Sequence, residues 1–112
     1  MAKYQLYPID RTFFALSDPV RRQILQKLRN KQGVSVTELT KALPVKMPGT
    51  MKHLAVLSDA GLISREKNGR IVTVRLRPEP MKEAVAWLEQ YQEFWNSSLD
   101  RLASFVEERG GE

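Results

Sequence analysis

The side chains able to carry chemistry in this chain are few, and their types suit holding anions rather than making or breaking bonds. Histidine occurs once, at His53, and cysteine is absent, so no multi-histidine metal centre within one chain and no thiolate site can form. No nucleophile with a base and an orienting group is visible, nor any glycine-rich phosphate loop, which argues against an enzyme. His53 reads as a hydrogen-bonded structural residue, while Glu89 and Glu93 have metal-ligand spacing but also that of a solvated helix face, the commoner use. Asp18 and Arg21 read as a helix N-cap and a first-turn ion pair, with Arg22 beside them free to meet a phosphate. The cations that remain are grouped: Lys46 and Lys52 flank Met47, Pro48, Gly49, Thr50 and Met51, and Arg65, Lys67 and Arg70 crowd a turn at Asn68 and Gly69. Such groups neutralise phosphates, and no metal or cofactor is expected.

Charge distribution supports a polyanionic partner. Residues 1–77 hold 15 Lys and Arg against 5 Asp and Glu, net +10, whereas residues 78–112 hold 3 against 8, net −5. The basic portion is built for a polyanion and the acidic portion for another task. A length of 112 residues fits one domain, and no apolar run approaches the roughly 18 residues needed to span a bilayer. The N-terminus lacks the apolar core of a secretion signal, so a soluble, cytoplasmic chain is expected.

Elements must position those cations. Tyr4, Leu6, Ile9, Phe13, Phe14 and Leu16 form an apolar opening segment, with Pro8 favouring a helix that begins after it. Asp18-Pro19 caps a second helix carrying Val20, Ile24, Leu25 and Leu28 at helical spacing, broken over Asn30 to Gly33. Val34 suits a short strand, and Ser35 with Glu38 has capping-box spacing ahead of Leu39, Ala42 and Leu43. Past Pro44, a helix from about Met47 to Ala60 places Thr50, Leu54 and Leu57 on a core face and Met47, Pro48, Met51, Lys52 and Ala55 elsewhere. Gly61 then supplies a left-handed cap. Residues 63–67 and 70–76 alternate at period two around Asn68-Gly69, which predicts a hairpin with a type I′ turn. From about Met81 to Val106 a long helix carries Met81, Val85, Leu88, Trp95, Leu99, Leu102 and Val106 in steps of four and three, with Gln92 the polar member. Roughly 26 helical residues extend about 39 Å, more than a small core can cover, so burying that stripe needs a partner.

Helix, turn, helix and hairpin in that order form a winged helix-turn-helix, mainly α with a small β-hairpin, in which the second helix of the pair enters the major groove and the wing reaches the adjacent backbone. The chain resembles the ArsR family of small dimeric transcriptional repressors, through Phe14-Ala15-Leu16-Ser17-Asp18-Pro19-Val20-Arg21-Arg22 with Ile24-Leu25, Val36-Thr37-Glu38-Leu39, Lys52-His53-Leu54 with Leu57, Ala60-Gly61-Leu62 and Asn68-Gly69-Arg70. Ala86-Trp87-Leu88-Glu89-Gln90-Tyr91 and Phe94-Trp95 resemble a branch without metal-binding cysteines. The resemblance implies one domain over 1–112, with a DNA-binding core and wing at 10–77 and dimerisation helices at 1–17 and 80–107. It implies double-stranded DNA and a second copy as partners, an interface of Phe13, Phe14, Val85, Leu88, Tyr91, Gln92, Trp95, Leu99 and Leu102, and repression of its own or a neighbouring operon. DNA contacts are expected from Lys46, Met47, Pro48, Gly49, Thr50, Met51, Lys52, His53, Arg65, Lys67, Asn68, Gly69 and Arg70.

The chain also departs from the family pattern. Met47 and Met51 stand where relatives commonly carry Ser or Gln, and a thioether cannot make the paired hydrogen bonds that read bases. Either the methionines pack on thymine methyls, or specificity rests on DNA shape and the wings. Trp87, Tyr91, Phe94 and Trp95 suit core or dimer packing more than a ligand pocket. The alternative function is a protein-interaction module that uses this aromatic helix and keeps a vestigial wing. Neither the operator nor an inducer is legible.

Overall fold

The computed structural model describes residues 7–110. Tyr4 and Leu6, assigned above to the opening segment, lie outside them. In chain order the elements are α1 (Pro8–Leu16), α2 (Pro19–Leu28), β1 (Val34–Ser35), α3 (Val36–Lys41), α4 (Met47–Asp59), β2 (Ile63–Asn68), β3 (Ile71–Leu76) and α5 (Glu79–Gly110). The mainly α fold with a wing and a long final helix is the one expected. Two details differ at the ends of helices: α1 starts at Pro8 itself, since proline is tolerated at a first helical position, and α5 runs past both expected bounds.

Local chemistry explains the boundaries. The Asp18 carboxylate accepts from the backbone N–H of Val20 at 2.8 Å and of Arg21 at 3.2 Å, with Pro19 in the first turn of α2. Ser35 Oγ accepts from the Glu38 N–H at 3.1 Å and starts α3. The end of α4 is closed by Gly61 at φ +74°, with Leu62 N–H donating back to Leu57 O at 3.0 Å and Gly61 N–H to Ser58 O at 2.9 Å. That paired arrangement satisfies carbonyls the helix itself leaves open.

The sheet is larger than a hairpin. Val34 pairs with Val74 and Ser35 with Thr73, so β1 joins the wing strands in a three-stranded antiparallel sheet of order β1-β3-β2. This pairing ties the start of the helix-turn-helix to the wing. Ala15, Ile24, Leu28, Leu39, Leu54, Leu57, Leu62, Ile63 and Val74 form the core between helices and sheet. Only the root of α5 reaches the body, through Ala84, which is buried, and through Phe13 and Trp87, whose rings meet edge-on at 5.5 Å. Most of the helix projects away, and the molecule is 71 Å in its longest dimension.

Candidate nucleic-acid interface

The floor of the interface is the packing of α3 against α4. Thr50 is fully buried, and its hydroxyl pairs at 3.0 Å with that of Thr40, which also donates to Val36 O at 2.9 Å. Thr50 therefore leaves the set of DNA contacts: it lies on the same face as the fully buried Leu54 and Leu57. Thr40 escaped the sequence reading, although its place in the last turn of a short helix just before the connecting turn is the signal that would find it. Its hydroxyl also lies 3.6 Å from Met47 Sδ, so α3 bears on the first residue of α4.

Gly49 serves the packing of the pair as well: a Cβ there would sit 3.2 Å from Val45 Cβ, so the missing side chain leaves room for the inter-helix turn. What α4 does present outward is Lys46, Met47, Pro48, Met51 and Lys52, all exposed. Met47 and Met51 are 40% and 37% accessible, enough for their thioether ends to meet a partner. The outer face is thus an apolar ridge edged by two ammonium groups, and it offers no amide or hydroxyl for base edges.

His53 turns the other way. Its Nδ1 lies 3.4 Å from Arg21 Nη1 and 4.0 Å from Asp18 Oδ1, joining α4 to the start of α2. It is hydrogen-bonded, as the sequence suggested, and half-buried between the two helices. Arg21, read as an ion-pair partner of Asp18, has a larger task. It is buried, donates from Nε to Ala15 O at 2.7 Å and from Nη2 to Phe14 O at 2.9 Å, and approaches Asp18 only at 4.0 Å. Arg22 Nη1 donates to Leu16 O at 2.8 Å. Two arginines from α2 thereby cap the negative end of α1, which has no cation of its own in its last turn. Burial alone would raise the Asp18 carboxyl, but the Arg21 and Val20 N–H groups, with His53 and Arg21 nearby, hold it below the ordinary aspartate value.

The wing register differs by one residue from the expected one. Asn68 pairs with Ile71, so the two-residue loop is Gly69-Arg70 and not Asn68-Gly69. Gly69 has φ +62° while Arg70 stays negative, which is the φ pattern of a II′ turn with glycine first, and not of a I′ turn. Directly opposed residues of antiparallel strands share a face. Arg65 opposes Val74 and Lys67 opposes Val72, so the face that buries Ile63 and Val74 in the body carries Arg65 and Lys67 outward along the hairpin. Arg70 stands in the turn at the tip. On the opposite face Arg75 is engaged by Glu66 at 2.8 Å. Arg65, Lys67 and Arg70 have no ion-pair partner among the described residues.

On α5, Val85, Leu88, Tyr91, Trp95, Leu99 and Leu102 are each at least 45% exposed. Phe13 is half-buried on Trp87, and Phe14 is exposed beneath the Arg21 guanidinium, 5.1 Å from its ring centroid. The Trp87 and Tyr91 rings lie 4.7 Å apart, and Phe94 and Trp95 meet at 5.8 Å. Among the described residues, no group of three His, Asp or Glu is arranged to hold a metal, and no helix is long and apolar enough to cross a membrane.

A helix pair with a buried floor, a projecting second helix and an adjoining basic hairpin define a winged helix-turn-helix regulator. Residues 16–66 match the family model described as a helix-turn-helix domain. The chain is 34% identical over 87 residues to the uncharacterised regulator YuzN of Bacillus subtilis, covering 71% of this chain and 95% of that protein. It is 31% identical over 99 residues to the arsenic resistance transcriptional regulator ArsR1 of Pseudomonas putida, covering 85% of this chain and 77% of the relative. A solved ArsR family transcriptional regulator superposes with a TM-score of 0.74 at 37% identity, over 80% of this chain and 98% of that one. The chain belongs to the ArsR family, in a form without cysteine, and is a DNA-binding transcriptional regulator, not an enzyme.

Proposed function

We propose that the protein is a cytoplasmic homodimer that represses its own or a neighbouring operon by occupying promoter DNA. The observation that carries this reading is the set of exposed, unpaired cations on two elements that pack against each other: Lys46 at the N-cap and Lys52 within α4, and Arg65, Lys67 and Arg70 on the wing. Met47, Pro48 and Met51 form the ridge that enters the major groove, where thioether and ring carbons meet thymine methyl groups. Asn68 and Gly69 bring the wing backbone to the adjacent phosphates. Val85, Leu88, Tyr91, Gln92, Trp95, Leu99 and Leu102, with Phe13 and Phe14, pair across a two-fold axis. The arsenic response in the name of the Pseudomonas putida relative does not carry over, because soft metalloids are held by thiolates and this chain has none.

A duplex obtained by binding-site selection tests the proposal by titration between about 50 and 200 mM salt. Affinity should fall by about 10³-fold or more if a dimer engages six or more phosphates. Lys52→Ala and Arg70→Ala should each weaken binding and shallow the salt slope by about one contact per protomer. Salt-insensitive binding, or binding untouched by both substitutions, would instead assign the chain to protein interaction through α5.

A further inference from the structure

The root of α5 is closed on one side and open on the other. On the closed side a Cβ on Gly61 would lie 3.4 Å from Pro80 Cγ, so the turn after α4 already abuts the first turn of α5. Arg77 N–H donates to Leu62 O at 2.7 Å and fixes the end of β3 to that same turn. On the open side lies a cavity of about 360 Å³ between α2, the end of β3 and α5. Leu25, Leu62, Leu76, Pro78 and Met81 wall it, and Arg29, Arg77 and Gln26 complete the lining. The apolar wall has no side-chain hydrogen-bonding group for water to use, so the interior suits hydrocarbon. Arg29 has no ion pair among the described residues, and Arg77 meets only Glu79, loosely at 3.9 Å with both side chains exposed.

We propose that this cavity is an effector site for a small organic acid with an apolar body. The hydrocarbon occupies the space between Leu25, Leu76 and Met81, and the carboxylate is held by the guanidinium groups of Arg29 and Arg77. The volume is near the low end of the roughly 300–1,000 Å³ typical of small-ligand sites, which suits about ten heavy atoms. The position gives occupancy a consequence. Inside one protomer α5 is carried mainly by α1, while α2 and β3 face its root across the cavity. A ligand bridging the three elements resets the angle between α5 and the winged body, and with it the separation of the two reading helices in a dimer. The binding site follows from the fold alone; the regulatory effect rests on the DNA-binding reading above.

The full chain, labelled at its methionine methyl groups, is titrated with sodium octanoate without DNA. The Met81 resonance should shift saturably while Met47 and Met51 stay in place. Acetate, which lacks the chain, and 1-octanol, which lacks the charge, should bind at least about tenfold more weakly. Arg29→Gln combined with Arg77→Gln, both surface changes that leave the fold intact, should weaken octanoate binding at least about fivefold, and Leu25→Trp should fill the cavity and abolish it. Separately, saturating octanoate should lower affinity for the selected duplex at least about fivefold in the wild type and leave the double arginine variant unmoved. An unshifted Met81, or octanol binding as tightly as octanoate, overturns the site. Unchanged DNA affinity with octanoate bound overturns its regulatory role. Failure to bind DNA at all would strike the function proposed above and leave the methyl titration standing.

Discussion

Arg21 and Asp18 fix the junction between α1 and α2. The buried Arg21 guanidinium serves two carbonyls at the end of α1. Arg21→Met keeps the volume but leaves Ala15 O without a donor in a place water reaches poorly, while Phe14 O keeps the N–H and hydroxyl of Ser17; stability should fall by about 1–3 kcal/mol in urea unfolding. Asp18 acts through pH. Its carboxyl is more acidic when folded, so the native state binds fewer protons than the unfolded chain near the aspartate range. Its stabilisation is complete above the unfolded value and is lost as pH falls through the lower, folded one, in a window below about pH 4. Asp18→Asn should flatten the stability profile there, measured as thermal midpoints from pH 6 to pH 2.5; an unaltered slope would assign the acid response to other carboxylates. At this scale the sequence was legible where a side chain acts on its own helix, as in the Asp18 cap. It was less so for Arg21, whose carbonyl acceptors Ala15 and Phe14 lie on α1, and for Thr40, whose partner Thr50 lies on α4.

The wing shows how far pattern reaches at the scale of an element. Alternation over residues 63–67 and 70–76 located both strands, since period two marks a half-buried sheet face. The turn slipped by one because Asn-Gly satisfies a I′ loop while Gly-Arg satisfies a II′ loop, and only the cross-strand partners decide. With Asn68 opposite Ile71, Val74 stays on the buried face, opposite Arg65 and beside the β1 residue Val34. β1, expected as a short strand at Val34, is there, but at two residues long it carried no pattern that told of its pairing with β3. The observed register has a measurable consequence, because Arg65 and Lys67 project together from the face that meets the helices whereas Arg75 is held by Glu66 on the other. Arg65→Ala with Lys67→Ala should therefore reduce the salt slope of DNA binding by about two per protomer, while Arg75→Ala should change it by less than about one. Equal effects from the two faces would mean that the hairpin does not approach DNA with its inner side. For α4 the core face was readable from Thr50, Leu54 and Leu57, but the packing role of Gly49 was not, since Val45, which lies against it, belongs to the preceding turn.

At the scale of the whole molecule the unresolved tension is α5. A helix of 32 residues with Trp95, Leu99, Leu102 and Val106 each more than half exposed is poorly suited to an isolated chain in water. The steps of four and three that connect Met81, Val85, Leu88, Gln92, Trp95, Leu99 and Leu102 are those of a seam between helices. In the proposed dimer a second copy would supply the same seam by symmetry, and the acidic residues Glu89, Glu93 and Asp100 lie outside that seam and are exposed. The helix and its apolar stripe were visible in the sequence as a heptad pattern; the extra turn at the C-terminal end was not, since Glu107 to Arg109 carry no apolar residue to mark it. Leu99→Glu with Leu102→Glu places two carboxylates in the proposed seam, facing two more from the partner. Sedimentation equilibrium should then give the mass of a single 12.9 kDa chain where the wild type gives twice that. Because both substitutions lie on exposed positions beyond the core, the thermal transition of the winged body should survive in the variant. DNA affinity should nevertheless drop steeply, since one protomer reaches only one half-site. A variant that remains dimeric would move the interface toward α1 and the root of α5, and a monomeric variant with undiminished affinity would separate DNA binding from dimerisation altogether.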